Sequence, residues 1–594
     1  MRHLLPIFAL CLLAACTKSA GTKEEGGDGS GGIHTWRELG QYEPVLNSHA
    51  GVTSHSNLTL IGGTYVQIPA EDLMMVEGEL GVVYPRFVKT GAGDYLMFYH
   101  YGNTKAETWA GFYCSYARSA DLVNWKYEQK LFKIKDGQTS KIDGLTVRRF
   151  YAGADLCALP DGRIMVVAAT RSSQDMRHRI ADNGLAIRFS SDNGHTWTDD
   201  KIVYVGTNWE PKPLVLPDGT IQIYYTDSRP YVEGVWDEAV VSTGSSYIWS
   251  TNNGKSWLPA DAEVTHKQAF KQVRVIKDNT VVYTDQMPAV IVLNGTTRFA
   301  AAMESDRGNT TNTDSEGKTS LAHNMYVSLA WSGENYDWGE PDATGRMPEE
   351  RADWFVKGAS PYLAQFPSGE TVLTYNDNNT FYYRLGDQNA RNFGTAVRAF
   401  GTGTIVSKGF WGTVYVTGPN TIVAGVGGTQ TVKVMQVGQF WLNHDIKAPE
   451  LTVKQDGDSR EWGTGDAFFC GSSSEAHMLL RPARDSRNLY LLAEILGEGA
   501  YGKIELGVGD ALKTIVVQSY GLRSSEFKNA TGVSLAGEAS DGRTGFACEV
   551  CIPLSEFAGA TEIPVRATVM ARDVNDSFGT TSQAVAALPR IILR

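Results

Sequence analysis

Apolar and polar residues alternate with a period of two through most of the chain, and the alternation breaks at Gly-containing turns. VVYPRFVKTGAGDYLMFYH, AGADLCALPDGRIMVVAATR, EPKPLVLPDGTIQIYYTD, QMPAVIVLNGTTRFAAAMES, SPYLAQFPSGETVLTYND and GTVYVTGPNTIVAGVGG each read as two strands joined by a tight turn. Further hairpins lie between these pairs: Ser119 to Trp125, Ser190 to Trp197, Ser250 to Trp257 and Ser332 to Trp338. A four-stranded unit recurring at this interval is the pattern of radially repeated sheets, and the apolar pairs give about six of them. The strand-like residues before Gly81 are expected to close the ring by joining the last unit. After Asn443 the rhythm is lost. LRPARDSRNLYLLAEIL, KIELGVG, KTIVVQSYG, GFACEVCIPLSEF and IPVRATVMARDV read instead as a β-sandwich.

Two signals stand side by side between Ala181 and Glu210. In the turn Ser190-Ser191-Asp192-Asn193-Gly194-His195-Thr196-Trp197, the Asp carboxylate can accept from N–H groups of its own turn and Gly194 supplies a positive φ. Trp197 provides an apolar plug for a neighbouring element. The second signal is Asn208-Trp209-Glu210-Pro211, which opens the next strand. A carboxylate between Trp and Pro at a strand start is badly placed for a core and well placed for a site. Glu304 holds a comparable place in the following unit, ending the apolar run RFAAAM.

Composition narrows the function. The 594 residues suffice for more than one domain, and the 62 glycines fit a turn-rich all-β chain. A formal net charge of −12 with no basic stripe argues against a nucleic-acid partner. Met1-Arg2-His3 followed by apolar Leu4 to Leu13 is too short to span a bilayer. Leu13-Ala14-Ala15-Cys16 resembles a bacterial lipobox. Residues 1–16 are then a lipoprotein signal peptide, Cys16 the lipid anchor and 17–32 a flexible tether. The competing reading is an ordinary cleaved signal peptide with Cys16 incidental. The address expected is the cell envelope, with the membrane reached through the anchor. Of the cysteines beyond the leader, Cys548-x-x-Cys551 has no second pair at zinc-site spacing, so buried thiols or one disulfide are expected, with no metal and no cofactor.

The Ser-x-Asp-x-Gly-x-x-Trp turn at 190–197 resembles the Asp-box of sialidase-like propellers. Residues 250–257 carry Asn252 in place of Asp, and 119–125 and 332–338 are degenerate copies. The resemblance implies a six-bladed β-propeller over 33–445, followed by a β-sandwich over 446–594. Tyr84-Pro85-Arg86, Trp209-Glu210-Pro211, Met287-Pro288-Ala289-Val290 with Ala302-Met303-Glu304, and Ala359-Ser360-Pro361-Tyr362-Leu363 are similar to the exo-α-L-arabinanase branch of that superfamily, across roughly Gly81 to Asn443. That branch implies Glu210 as acid/base and Glu304 as nucleophile. It departs at Thr284-Asp285-Gln286-Met287-Pro288, where the branch has Arg-Pro-Gly-Met-Pro. The C-terminal strands resemble carbohydrate-binding sandwich modules, and a structural spacer explains them equally well.

Retaining glycoside hydrolysis needs two carboxyl groups roughly 5–5.5 Å apart, one to protonate the leaving oxygen and one to attack the anomeric carbon. Inner strands of different blades converge on one axis and can supply such a pair. The structural alternative for Glu210 and Glu304 is a solvated strand end or an ion pair with Arg. Arg86 is expected to point into the funnel toward a substrate carboxylate or the glutamates, and Asp155 to sit in the corresponding loop of the next blade. Arg171, Tyr225, Asp227 and Trp411 are candidate wall residues in contact with substrate. His178, His195 and His323 are expected at the surface or in packing. The partner is a polysaccharide or oligosaccharide. Besides a retaining exo-glycosidase of arabinanase type, the chain admits an exo-sialidase, drawing on Arg86 and on Tyr382 or Tyr383 beside Arg384, or a non-enzymatic glycan-binding lipoprotein.

Overall fold

Six antiparallel sheets follow one another along the chain, and each opens with two strands adjacent in sequence. The computed structural model describes residues 34–35, 39, 42, 55–73, 82–101, 113–172, 179–228, 243–259, 267–270, 283–307, 310–313, 319–322, 324–340, 348–378, 380–400, 409–428, 433–539, 541–572, 575–578 and 584–594. The proposed leader, Cys16 and the tether lie outside these residues. The first sheet opens with Val83–Lys89 and Tyr95–Tyr101, and the second contains Thr146–Ala158 and Ile164–Ser172. The third opens with Asn208–Val215 and Ile221–Asp227, the fourth with Gln286–Val292 and Phe299–Asp306. The fifth opens with Ala359–Gln365 and Thr371–Asp377, the sixth with Gly409–Val416 and Thr421–Gly428. The second sheet gains an extra strand, Lys135–Thr139, and so departs from the four-stranded rule.

The leading strand of each sheet, Thr146–Ala158 in the second, touches that of the next. The sixth touches the first. Apolar side chains fill every gap between neighbours, as where Val88, Leu96 and Phe98 meet Leu156, Ile164 and Val166, and each such side chain contributes about 1.5–3 kcal/mol when fully buried. The residues before Gly81 join the last sheet as expected: Asn57–Leu60 and Val66–Pro69 both pair with Val434–Asn443. At the seam Gly427 comes so close to the first sheet that a Cβ there would lie 2.2 Å from the Val82 carbonyl oxygen.

Every leading strand carries one bulge, and at the bulge one residue has left-handed backbone: Tyr84 (φ 64°), Gly153 (58°), Glu210 (41°), Met287 (52°), Ser360 (56°) and Trp411 (52°). A bulge re-aims a side chain, and this backbone costs a non-glycine residue roughly 1–3 kcal/mol. Five of the six sheets accept that strain at the same place on the shared axis.

The outer turns form as their sequences predict. Asp192 Oδ1 accepts from the Thr196 N–H (2.9 Å), Gly194 has φ 85°, and Trp197 meets Phe98 and Tyr116 of the first sheet. Asn252 makes the equivalent bond to Ser256 N–H at 2.9 Å.

The C-terminal strands form two facing sheets. One holds Phe468–Gly471, His477–Arg484, Asn488–Leu496, Thr544–Pro553 and Thr531–Glu538. The other holds Ile446–Lys447, Arg590–Ile592, Glu562–Met570, Tyr501–Val508, Ala511–Gln518 and Gly521–Ser525. Met478, Leu480, Leu491, Ile504, Ile515 and Val565 pack in one core between them. The boundary at 33 needs correction: His34–Thr35 pairs in parallel with Gly537–Glu538 of the sandwich, and the Tyr42 hydroxyl donates to Glu494 Oε2 (2.8 Å). The open edge of Thr531–Glu538 offers unpaired backbone groups, which an extended segment satisfies. Cys114, Cys157, Cys470, Cys548 and Cys551 are all free thiols. Cys548 and Cys551 share a strand three residues apart, so their side chains leave opposite faces.

Where the sixth sheet hands over to the sandwich, fully buried His444 bridges two carboxylates. Its Nδ1 faces Glu370 Oε1 (2.9 Å) and its Nε2 faces Asp466. Burial opposes charging of the ring, but the two carboxylates overcome it and hold its pKa well above the usual histidine value.

Candidate active site

The six bulges define a repeated position on the second strand of each pair, opposite the residue that precedes the bulge. It is held by His100, Ala169, Thr226, Glu304, Asn376 and Gly427. From it one sheet clasps the next. His100 Nδ1 accepts from Gly153 N–H (3.0 Å), Thr226 Oγ1 from Met287 N–H (2.8 Å) and Glu304 Oε2 from Ser360 N–H (2.8 Å). Asn376 Oδ1 reaches Gly412 N–H at 3.5 Å. Glu304 therefore has its carboxylate plane fixed by the same device that joins the sheets.

Glu210 sits on the bulge itself, and its Oε2 accepts from the Thr226 hydroxyl (2.8 Å). Burial and then the negative charge of Glu304 push its pKa from 4.5 up to about 7. The Thr226 bond and the charges of Arg171 and Arg86 work in the opposite direction. The two glutamates predicted from separate motifs are thus brought within electrostatic reach. His100 is held neutral by burial and by Arg86 and Arg171, its pKa pushed down to about 3. With Nδ1 accepting, the ring carries its proton on Nε2.

Two residues beyond four of the six bulge positions, Arg86, Asp155, Lys212 and Tyr362 form a polar floor. Tyr362 donates its hydroxyl proton to Asp155 Oδ2 (2.9 Å) and accepts from Lys212 Nζ. The same carboxylate oxygen lies 3.4 Å from Arg86 Nε and 3.7 Å from Lys212 Nζ. Arg86 also donates to the Pro85 and Trp411 carbonyls, and its guanidinium lies 3.7 Å from the centroid of the Tyr84 ring. Tyr84 stacks on His100 with centroids 5.3 Å apart. Burial lowers the proton affinity of Lys212, yet Asp155 and Tyr362 outweigh it and raise its pKa. The floor thus gathers two cations, Arg86 and Lys212, around the one carboxylate of Asp155.

Several candidate contacts with substrate need correction. Arg86 and Asp155 are 1% and 2% exposed, spent on each other and on backbone carbonyls, so they brace the site rather than line it. Arg171 is fully buried on the ring of Trp209, with Nη2 donating to the Asn208 carbonyl (2.5 Å). Tyr225 packs against Tyr204 between the second and third sheets, and Asp227 accepts from the Ser246 hydroxyl at 3.2 Å. Both lie in the closed interior because strand Ile221–Asp227 is covered on both faces. Trp411 is partly exposed, 6.1 Å from His100 between ring centroids. His195 is exposed on its outer turn, while His178 and His323 lie outside the described residues. Tyr383 is buried with its hydroxyl on the Leu58 carbonyl, Tyr382 stacks on Tyr375, and Arg384 binds the Gly394 carbonyl. None of these three joins the glutamates. Tyr84, His100, Lys212, Thr226 and Tyr362 escaped the sequence reading. For Lys212 and Tyr362 the signal was the recurrent residue-Pro-residue triplet, whose third member reaches the floor, while His100 and Thr226 lie on the paired strands outside it. Among the described residues, no three His, Cys, Asp or Glu gather as a metal site.

No protein-family model and no curated protein matches the chain. Among solved structures it is similar to a protein of unknown function from Dyadobacter fermentans, at 12% identity over 65% of this chain and 98% of that one, with a TM-score of 0.44. It is also similar to a polysaccharide lyase described as an ulvan lyase (11%, 70% and 92%, 0.34). Another is the Trypanosoma rangeli sialidase in complex with sialic acid (9%, 91% and 90%, 0.35). All three scores fall below 0.5, and the functional reading rests on the site's own residues.

Proposed function

We propose that the six sheets are the blades of a sialidase-like propeller, and that its axis carries a retaining exo-glycoside hydrolase site acting on a neutral glycan end, of exo-arabinanase type. The observation that carries this reading is Glu210, a carboxyl raised to about 7 by burial and by a second carboxylate, Glu304. A group with that affinity holds its proton near neutral pH and can give it to a leaving oxygen. Glu304, fixed at one oxygen by Ser360 N–H, presents the other for attack at the anomeric carbon. Once Glu304 is esterified its charge is gone, the pKa of Glu210 falls, and Glu210 takes a proton from the water that hydrolyses the intermediate. Partly exposed Trp209 and Trp411 supply flat faces for a sugar ring. The chain reaches its substrate from a membrane tether at Cys16 in the cell envelope.

Kinetics of three variants on a panel of aryl glycosides and plant glycans test the assignment. Glu304→Gln keeps an acceptor for Ser360 N–H and loses only the nucleophilic charge, so turnover should fall on every substrate while folding is kept. Glu304→Ala should lose both turnover and some stability. Glu210→Ala should be partly spared on substrates with good leaving groups and rescued by azide. Near-wild-type rates for Glu304→Gln and Glu210→Ala on a confirmed substrate would sink the assignment. Glycan binding without turnover by the wild type would favour a binding protein.

A further inference from the structure

The clasp position lacks a polar side chain in two of the six sheets, the sixth with Gly427 and the second. The second carries Ala169, which has no polar side-chain atom, and Arg171, on the same face two residues on, reaches the third sheet in its place. Arg171 is wholly removed from solvent. Nη2 donates to the Asn208 carbonyl and the guanidinium plane lies on Trp209. Among the described residues, Nε and Nη1 have no hydrogen-bond partner, and no carboxylate forms an ion pair with the group. A buried guanidinium left in this state is expensive, because neither its charge nor its remaining N–H groups are answered. Asn208 and Trp209, its two contacts, immediately precede Glu210.

We infer that Arg171 is a positioning residue for Glu210, a buried counter-charge that stabilises the Glu210 carboxylate in the half of the cycle where it acts as base. The inference rests on the proposed glycosidase reading and adds a residue to it. In the first half the glycosidic C–O bond breaks, the bond from Glu304 to the anomeric carbon forms, and the Glu210 proton goes to the leaving oxygen. Glu210 is then an anion beside a cation that was uncompensated until that moment. In the second half a water hydroxyl replaces Glu304 at the anomeric carbon, and the water's other proton returns to Glu210. Each turnover thus switches a charge–charge attraction on and off, and Arg suits the task because its high intrinsic basicity works against the burial that lowers its pKa, with the Glu210 charge acting in the same sense. The other groups facing Glu210 are Tyr84 and Arg86 from the first sheet, Thr226 from its own and Glu304 from the fourth. Arg86 is already committed to Asp155, and Thr226 carries no charge.

Isotope-edited infrared titration of the Glu210 carboxyl, assigned by its loss in Glu210→Gln, tests this without a substrate. In Arg171→Met the midpoint should rise by at least about one pH unit, a tenfold gain in proton affinity, the lower end of what a lost neighbouring cation produces. Arg171→Gln retains a donor for the Asn208 carbonyl and carries the same expectation should Arg171→Met fail to fold. Arg171→Lys should stay closer to wild type than either. With substrate, the alkaline limb of kcat/KM should follow the same shift, which a purely structural role for Arg171 would not produce. A wild-type midpoint near 7 that is unmoved in Arg171→Gln overturns the inference and leaves the glycosidase reading standing. A wild-type midpoint in the ordinary carboxylate range overturns the acid/base assignment itself.

Discussion

Replacing Glu210 by Gln should make the protein more stable at alkaline pH, and the size of the gain follows from the site. A glutamate whose folded pKa is raised contributes stability that is present below its unfolded value and lost as pH rises through the folded one. Here the limits are 4.5 and about 7. The difference, 7 minus 4.5, corresponds to about 3 kcal/mol at 1.36 kcal/mol per unit. The carboxyl is partly exposed, so solvent screening trims this to about 2 kcal/mol. Gln keeps the shape and accepts from Thr226, but it never ionises. The stability of Glu210→Gln minus that of wild type should therefore grow by about 2 kcal/mol between pH 4.5 and 8, with most of the change between 5 and 7. Urea unfolding followed by tryptophan fluorescence at each pH gives both values. Other titrating groups are common to the two proteins and cancel in the difference. A difference that stays constant over that range would show that Glu210 ionises freely, and the argument for a proton donor at neutral pH would go with it.

Three further outcomes are expected. His444→Gln strands Glu370 and Asp466 in the interior and should cost about 3–5 kcal/mol. Because the folded pKa of His444 lies above 6.5, the wild-type advantage should be greatest below that pH and shrink as pH rises, which melting curves from pH 6 to 9 would follow. Gly427→Ala places a Cβ 2.2 Å from the Val82 carbonyl oxygen and 2.5 Å from Val83 Cα, so backbone must move. A loss of about 3 kcal/mol or more is expected, and a urea midpoint equal to wild type would contradict the seam geometry. Cys16→Ser should abolish acylation and release the chain from membranes, and an unchanged membrane fraction would count against the anchor.

The repeating sheets were legible because strand period, turn chemistry and spacing agree with one another. Asp192 and Gly194 specify their turn locally, so the outer hairpin at 190–197 could be read without knowing what it packs on. The place of His34–Thr35 could not. A two-residue strand carries no periodicity, and its pairing depends on an open sheet edge about 500 residues away in sequence. Cys548 and Cys551 show the reverse case: spacing alone suggested a pair, and the strand's period of two forbids it.

The site was legible only where a motif exposed it. Glu210 and Glu304 stand out because a carboxylate between Trp and Pro at a strand start, like one at the end of an apolar run, has no place in a core. Arg86, Asp155 and Arg171 were equally visible, but sequence cannot distinguish a charge that meets substrate from one that meets another charge. That distinction is made by the third residue of each bulge triplet, which comes from a different sheet every time. Lys212 looks like one more strand lysine until Asp155 and Tyr362 arrive from the second and fifth sheets. Glu304 and Thr226 occupy equivalent positions and make equivalent bonds to the next sheet, yet only one can attack a sugar. The fold sets the position and the clasp, and the residue type decides whether the clasp also carries chemistry. A glutamate at that position keeps the joint while adding a charge, and the charge raises the pKa of the glutamate on the neighbouring bulge. On the proposed reading, structure and mechanism are coupled at Glu304 for that reason.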